Sequence, residues 1–482
     1  MTDPGPRPAV EPPHNQQPAA NLVLPTQDDP DIARGATVIG GPIGSRGDPG
    51  RAWWSPLRVS VVVAVLAYAV SLALRIPCVN TGFGGLTRYT HMCYSDIPVL
   101  YSLRGFADGY LPYLEVGEGQ QAFEYPVLTG AMAQLAAWAT GWFGGGGLGF
   151  YAANVALIGV LFIITVVATG AGAHPREWDG VLVATSPAII LTATINWDML
   201  PVALVAVSLL LWSRRVVFWA GVVLGLAIAA KFYPLVFLGP LLILSIRAGR
   251  PAAFGRFLAG AVLAWLVANV PVMIVNFEGW ATFYTFSEGR GQDFGSPWLA
   301  LSIAGLEVPA NVVNPLALGI FAVACLALAG FMLLAPRRPR LAPMLFLVLA
   351  AFLLTNKVYS PQYVMWLVPL AVLARPRLRD LLIWQAGEVI YFGAVWLYLA
   401  GLEAPNRGLP AGWYSLAIWL HIGLTVWFSA LLLRDAWWPA HDPVRRGGVD
   451  DPLGGPLTAA PPPRETPPIA TTLAPTGAPR AN

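Results

Sequence analysis

Thirteen apolar stretches of about 15–24 residues follow one another between residues 58 and 433: 58–76, 126–143, 150–172, 180–195, 198–212, 216–230, 232–246, 254–275, 312–335, 341–355, 361–374, 380–400 and 412–433. A helix rises 1.5 Å per residue, so about 20 apolar residues cross the hydrocarbon core of a bilayer. A chain built this way has little polar surface with which to enclose a water-soluble core. Its composition agrees: 56% of the residues are hydrophobic and 11% are charged, against about 25% charged in soluble domains. The expected fold class is an all-α polytopic membrane protein. The net charge of +3 is small and spread along the chain, which argues against a nucleic-acid partner.

The ends differ from the middle. Residues 1–55 and 436–482 are rich in Pro, Gly, Ala and polar residues without apolar periodicity, which predicts disordered tails on either side of a membrane domain over 56–435. Short basic clusters set the orientation. They are Arg214 and Arg215; Arg247, Arg250 and Arg256; Arg337, Arg338 and Arg340; and Arg375, Arg377 and Arg379, with Arg445 and Arg446 after the last span. Two apolar segments separate each cluster from the next, so all can be cytoplasmic together. Counting back, a cytoplasmic N-terminal tail permits only three spans before Asn196, whereas four apolar segments precede it. The segment 126–143 begins with Pro and ends in Gly144–Gly147. It is expected to lie as an interfacial or re-entrant helix in a first extracytoplasmic loop over 78–145, leaving 12 spans.

That topology collects polar groups on the outer face. Lys231, Arg290 and Lys357 run against the positive-inside bias. A charge near hydrocarbon costs roughly 2.5–3.5 kcal/mol, so Lys231, set between two apolar runs, either pairs with Asp198 or binds an anionic headgroup. Asp96 precedes Ile97-Pro98, a spacing that suits a helix N-cap, and equally a general base beside the bilayer. Glu124 either favours a helix N-terminus or serves the site. Asn196 and Asp198 either orient hydroxyls or turn a hairpin. Cys78 and Cys93 share the outer loop, where a disulfide is expected. The sequence carries no phosphate-loop, nucleophile-elbow or zinc-ligand motif, and no metal or cofactor is expected.

Taken in order, Asp96, Tyr101, Gly109 and Tyr110, Glu124-Tyr125-Pro126, Asn196 and Asp198, Lys231-Phe232-Tyr233-Pro234 and Lys357-Val358-Tyr359-Ser360-Pro361-Gln362-Tyr363 resemble glycosyltransferase family 87. The resemblance covers roughly 55–435. It implies a GT-C-like fold of about 12 transmembrane helices with interfacial helices in the first outer loop, in a bacterial plasma membrane with the active site on the extracytoplasmic face. It also implies transfer of a hexose, expected to be mannose, from a polyprenyl-phosphate donor to a lipid or glycan hydroxyl. Asp96 maps to the general base. Lys231, Arg290 and Lys357 are the expected ligands of the donor phosphate. Tyr94, Tyr101, Tyr110, Glu124, Tyr125, Asn196, Asp198, Tyr233, Tyr359 and Gln362 are the expected sugar and acceptor contacts. An arabinosyl- or glucosyltransferase of the same fold, or a lipid transporter or flippase, is the alternative. A transporter requires ionisable groups deep in several spans, of which Glu388 is the clearest.

Overall fold

The structure is a computed structural model and describes residues 55–458. Residues 1–54 and 459–482, expected as tails, lie outside the described residues. Helices make up the fold. Six are long and apolar enough to cross a membrane: Pro56–Ala73, Gly146–Gly172, Pro251–Val275, Asn311–Leu334, Leu378–Glu403 and Ala411–Trp437. Six shorter apolar ones lie at Asp179–Thr192, Met199–Ser213, Val217–Ala230, Tyr233–Arg247, Leu341–Thr355 and Pro361–Ala374. The chain is an all-α polytopic membrane protein. Helix starts follow local chemistry. Ser55 accepts from Arg58 N ahead of Pro56, and Ser186 accepts from Ile189 N ahead of Pro187. In each case a hydroxyl meets an orphan N–H, and a proline stands where no N–H is needed.

The segment 126–143 forms helix Val127–Ala139 and a 3-10 turn, Thr140–Phe143. Just before it, Glu124 is held by Arg104. Just after it, Phe150 stacks on Tyr101 with ring centres 4.9 Å apart. Arg104 and Tyr101 belong to one short helix and its C-cap, Ile97–Leu103, so the segment departs from and returns to the same place. Its Trp138 and Trp142 are exposed, as suits a helix at a membrane–water boundary.

Helices Val217–Ala230 and Pro251–Val275 approach closely. A Cβ on Gly221 would lie 1.9 Å from Phe257 O, one on Gly225 2.2 Å from Ala261 O, and one on Gly260 2.3 Å from Phe218 O. Glycines four apart let two helix backbones touch, the usual means of packing in lipid. This contact fixes the helix whose C-cap is Lys231.

One end of the bundle gathers the basic clusters. There Arg340 is buried against Asp442 at 2.6 Å, Arg375 meets Asp380 at 2.7 Å and also Asp435, and Arg247 caps Met332 O and Ala335 O. The expected disorder from residue 436 onward is corrected for residues 436–458. Val444, Leu453 and Leu457 are buried, Asp451 accepts from Leu341 N at 3.1 Å, and Arg338 donates to Leu457 O. The Pro- and Gly-rich composition of this segment hid two aspartates that satisfy a buried arginine and a helix-initial N–H.

Candidate active site

The opposite end carries a cavity of about 710 Å³. The first loop forms one wall. Cys78 and Cys93 are joined by a disulfide, and buried Arg75 donates to Thr194 Oγ1 at 2.9 Å and Met92 O at 2.8 Å. Asp96 N donates to Ile195 O at 2.8 Å. These ties hold Asp96 against the turn at 193–198.

Asp96 is half-buried and lines the cavity. It stands at the N-cap position of Ile97–Leu103, yet its side chain caps nothing. Its carboxylate instead faces tyrosines: Tyr94 Oη donates to Oδ1 at 2.7 Å, and Tyr125 Oη lies 3.4 Å from Oδ2. Oδ2 is therefore the less committed oxygen. Burial pushes the Asp96 carboxyl up to about 6; the Tyr94 hydrogen bond and Lys231 pull it down, and Glu124 and Asp198 push it further up.

The other expected residues divide sharply. Tyr94, Glu124, Tyr125, Asn196, Lys231, Tyr233, Arg290 and Gln362 line the cavity with Asp96. Glu124 is fully engaged, because Arg104 holds both its oxygens at 2.6 and 2.7 Å. Asn196 Oδ1 accepts from Asp198 N at 3.0 Å, closing the turn. Asp198 lies behind the wall, 1% exposed. It pairs with Lys231 Nζ at 2.9 Å and accepts from Trp366 Nε1 at 3.1 Å. Lys231 is thus already neutralised, with its ammonium 5.0 Å from the Tyr125 ring centre, 5.7 Å from that of Tyr363 and 5.9 Å from that of Trp366. Of the two sequence readings of Lys231, the pairing with Asp198 is present in the structure.

Tyr101, Tyr110, Tyr359 and Lys357 do not line the cavity. Tyr101 packs on Phe150. Tyr110 sits against Gly105 and Gly117. Tyr359 is buried behind the cavity, its hydroxyl 3.3 Å from Glu388 Oε1. Lys357 Nζ donates to Glu288 O at 2.9 Å, a cation at the C-terminal end of helix Phe277–Gly289. Burial, then nearby Arg290, hold the Lys357 ammonium below its ordinary range.

Arg290 is the cavity's most available cation. Its guanidinium pairs with partly exposed Asp293 at 2.7 Å and lies 5.4 Å from the Phe294 ring centre. Sequence reasoning missed several aromatic neighbours: Phe283, Tyr284 and Phe286 on helix Phe277–Gly289, and Trp366 and Trp396 on apolar helices. Aromatics at helical spacing read first as packing. Only the absence of buried residues along Phe277–Gly289 marks that helix as different.

The arrangement places a carboxylate with one lightly held oxygen and a guanidinium on the lining of one aromatic cavity. Such a site can take a proton from a hydroxyl while neutralising an anionic group. No curated protein matches the chain. Residues 123–356 match the family model described as Glycosyltransferase family 87. The matched stretch contains Glu124, Lys231 and Arg290 and begins after Asp96. The chain therefore belongs to glycosyltransferase family 87 and is a membrane glycosyltransferase.

Proposed function

We propose that the protein moves a hexose, mannose by preference, from a polyprenyl-phosphate carrier to a hydroxyl of a lipid or glycan, on the extracytoplasmic face and with inversion. The acceptor hydroxyl approaches Asp96 Oδ2 and displaces the long contact with Tyr125, while Tyr94 keeps Oδ1 fixed. Asp96 takes the proton as the acceptor oxygen attacks the anomeric carbon. The bond to the carrier phosphate breaks, and the phosphate leaves with the electron pair. Arg290 neutralises that phosphate as its charge develops. Lys231, already paired with Asp198, keeps Tyr125 and the base in place. The aromatic residues of Phe277–Gly289 and Phe352 offer the carrier's hydrocarbon chain an apolar flank.

The observation that carries this reading is the position of Asp96 and Arg290 on one cavity in a family 87 chain. The gathering of basic clusters at the far end supports the sidedness. Protein in proteoliposomes, supplied in turn with radiolabelled polyprenyl-phosphate-linked mannose, glucose and arabinose and a membrane extract as acceptor source, tests the donor. Transfer of mannose above the other two is expected. Transfer only from a nucleotide sugar would overturn the carrier assignment.

A further inference from the structure

One buried acid has no part in this mechanism. Glu388, 3% exposed on helix Leu378–Glu403, gathers three groups at Oε1: Tyr359 Oη at 3.3 Å, Thr425 Oγ1 at 3.2 Å and His421 Nδ1 at 3.4 Å. Its Oε2 has no partner. Hydrogen-bond directions around it are constrained. Trp384 Nε1 donates to Thr425 Oγ1 at 3.1 Å, leaving the Thr425 proton for Glu388. His421 Nε2 faces Gly295 O at 3.1 Å; a carbonyl only accepts, so that nitrogen carries a proton. The Nδ1 contact then needs one proton between His421 and Glu388.

What this cluster holds is a strap of two short strands. Strand β1, Asp293–Phe294, pairs in parallel with β2, Val358–Tyr359. Asp293 N donates to Lys357 O at 2.9 Å and Gly295 N to Tyr359 O at 3.1 Å. The cluster grips both strands from behind. His421 holds Gly295 O, Glu388 holds the Tyr359 hydroxyl, and Tyr391 Oη donates to Tyr359 O at 2.7 Å. His421 stacks on Tyr391 with ring centres 4.3 Å apart. Phe294 of the strap lines the cavity, as do Ser360 and Gln362 just after it, and Arg290 is tied to the strap through Asp293.

We propose that Glu388 and His421 are positioning residues: they fix the strap from inside the membrane domain and so set the place of Arg290 and the affinity for the donor's phosphate. This rests on the reading of Arg290 as the phosphate ligand. A pair that merely filled space would affect every ligand and the fold alike; a positioning pair acts on the phosphate.

The test is equilibrium binding of polyprenyl monophosphate, and of the uncharged polyprenol, to the full-length protein in detergent. Glu388→Ala is expected to weaken polyprenyl monophosphate about tenfold and leave polyprenol within twofold. Tyr359→Phe removes one hydroxyl, keeps the ring, and is expected to weaken the phosphate about threefold; it carries the test should Glu388→Ala fail to fold. Arg290→Ala separates the two claims. Wild-type affinity in Arg290→Ala would overturn the phosphate reading and the positioning claim with it. Loss in Arg290→Ala, with Glu388→Ala and Tyr359→Phe both within twofold of wild type, would overturn positioning alone. Equal loss of phosphate and polyprenol binding in Glu388→Ala and Tyr359→Phe would also overturn it, by showing a structural role.

Discussion

At the scale of single residues, what a charge touches decides its use. Asp96 was legible in the sequence as an acid in an outer loop beside an apolar run, and its alternative reading as a helix cap fails because the carboxylate faces Tyr94 and Tyr125 instead. A general base must be ionised, and burial raises this carboxyl to about 6. Transfer should therefore be steady above that pH and fall tenfold per unit below it; initial rates at saturating donor between pH 4.5 and 8 check this, and an acid limb near 4 would contradict it. Glu124 behaves differently. Arg104 and Glu124 form a partly buried bidentate pair; breaking a fully buried pair typically costs about 3–5 kcal/mol, an upper bound here. Arg104→Met should lower the melting temperature markedly, and Arg104→Met with Glu124→Leu should recover part of the loss. Pairings across distance were legible only in part. Lys231 with Asp198 was one of two readings the sequence offered, whereas no spacing rule brings Lys357 to the carbonyl of Glu288.

Elements were more visible than contacts. Apolar run lengths located the helices because a membrane imposes the period. Charge parity predicts that 126–143 does not cross; in the structure the residues flanking it, Glu124 and Phe150, both meet the helix Ile97–Leu103 or its C-cap. Helix pairing was not visible, since glycines scattered through apolar runs do not announce their partners. Gly221 and Gly225 against Gly260 hold helix Val217–Ala230 to Pro251–Val275. Gly225→Leu must push these backbones apart, and overpacking costs about 1–3 kcal/mol or more. Because Lys231 ends the same helix, the variant should lose transfer activity as well as thermal stability. A stable variant of full activity would show that the contact does not position the site.

For the whole molecule, the two ends have separate tasks. One carries the cavity; the other locks residues 442–458 onto the bundle through Asp442 and Asp451. The tail composition gave no hint of this, because ion pairs with distant arginines leave no local pattern. The basic end should face the cytoplasm. In a Cys325→Ala background, cysteine at exposed Glu118 should react with an impermeant maleimide in intact cells, and cysteine at exposed Arg250 only after lysis. The reverse pattern would place the cavity inside.

The central claim is that Asp96 takes the proton, and Asp96→Asn tests it most directly. The substitution keeps size and the contact with Tyr94 but removes the base, and general-base catalysis is typically worth 10²–10⁴-fold. Initial rates of sugar transfer from polyprenyl-phosphate-mannose by purified Asp96→Asn protein, with its melting temperature measured alongside, should show a loss of at least about a hundredfold at unchanged stability. Transfer at the wild-type rate by the folded variant would contradict the account.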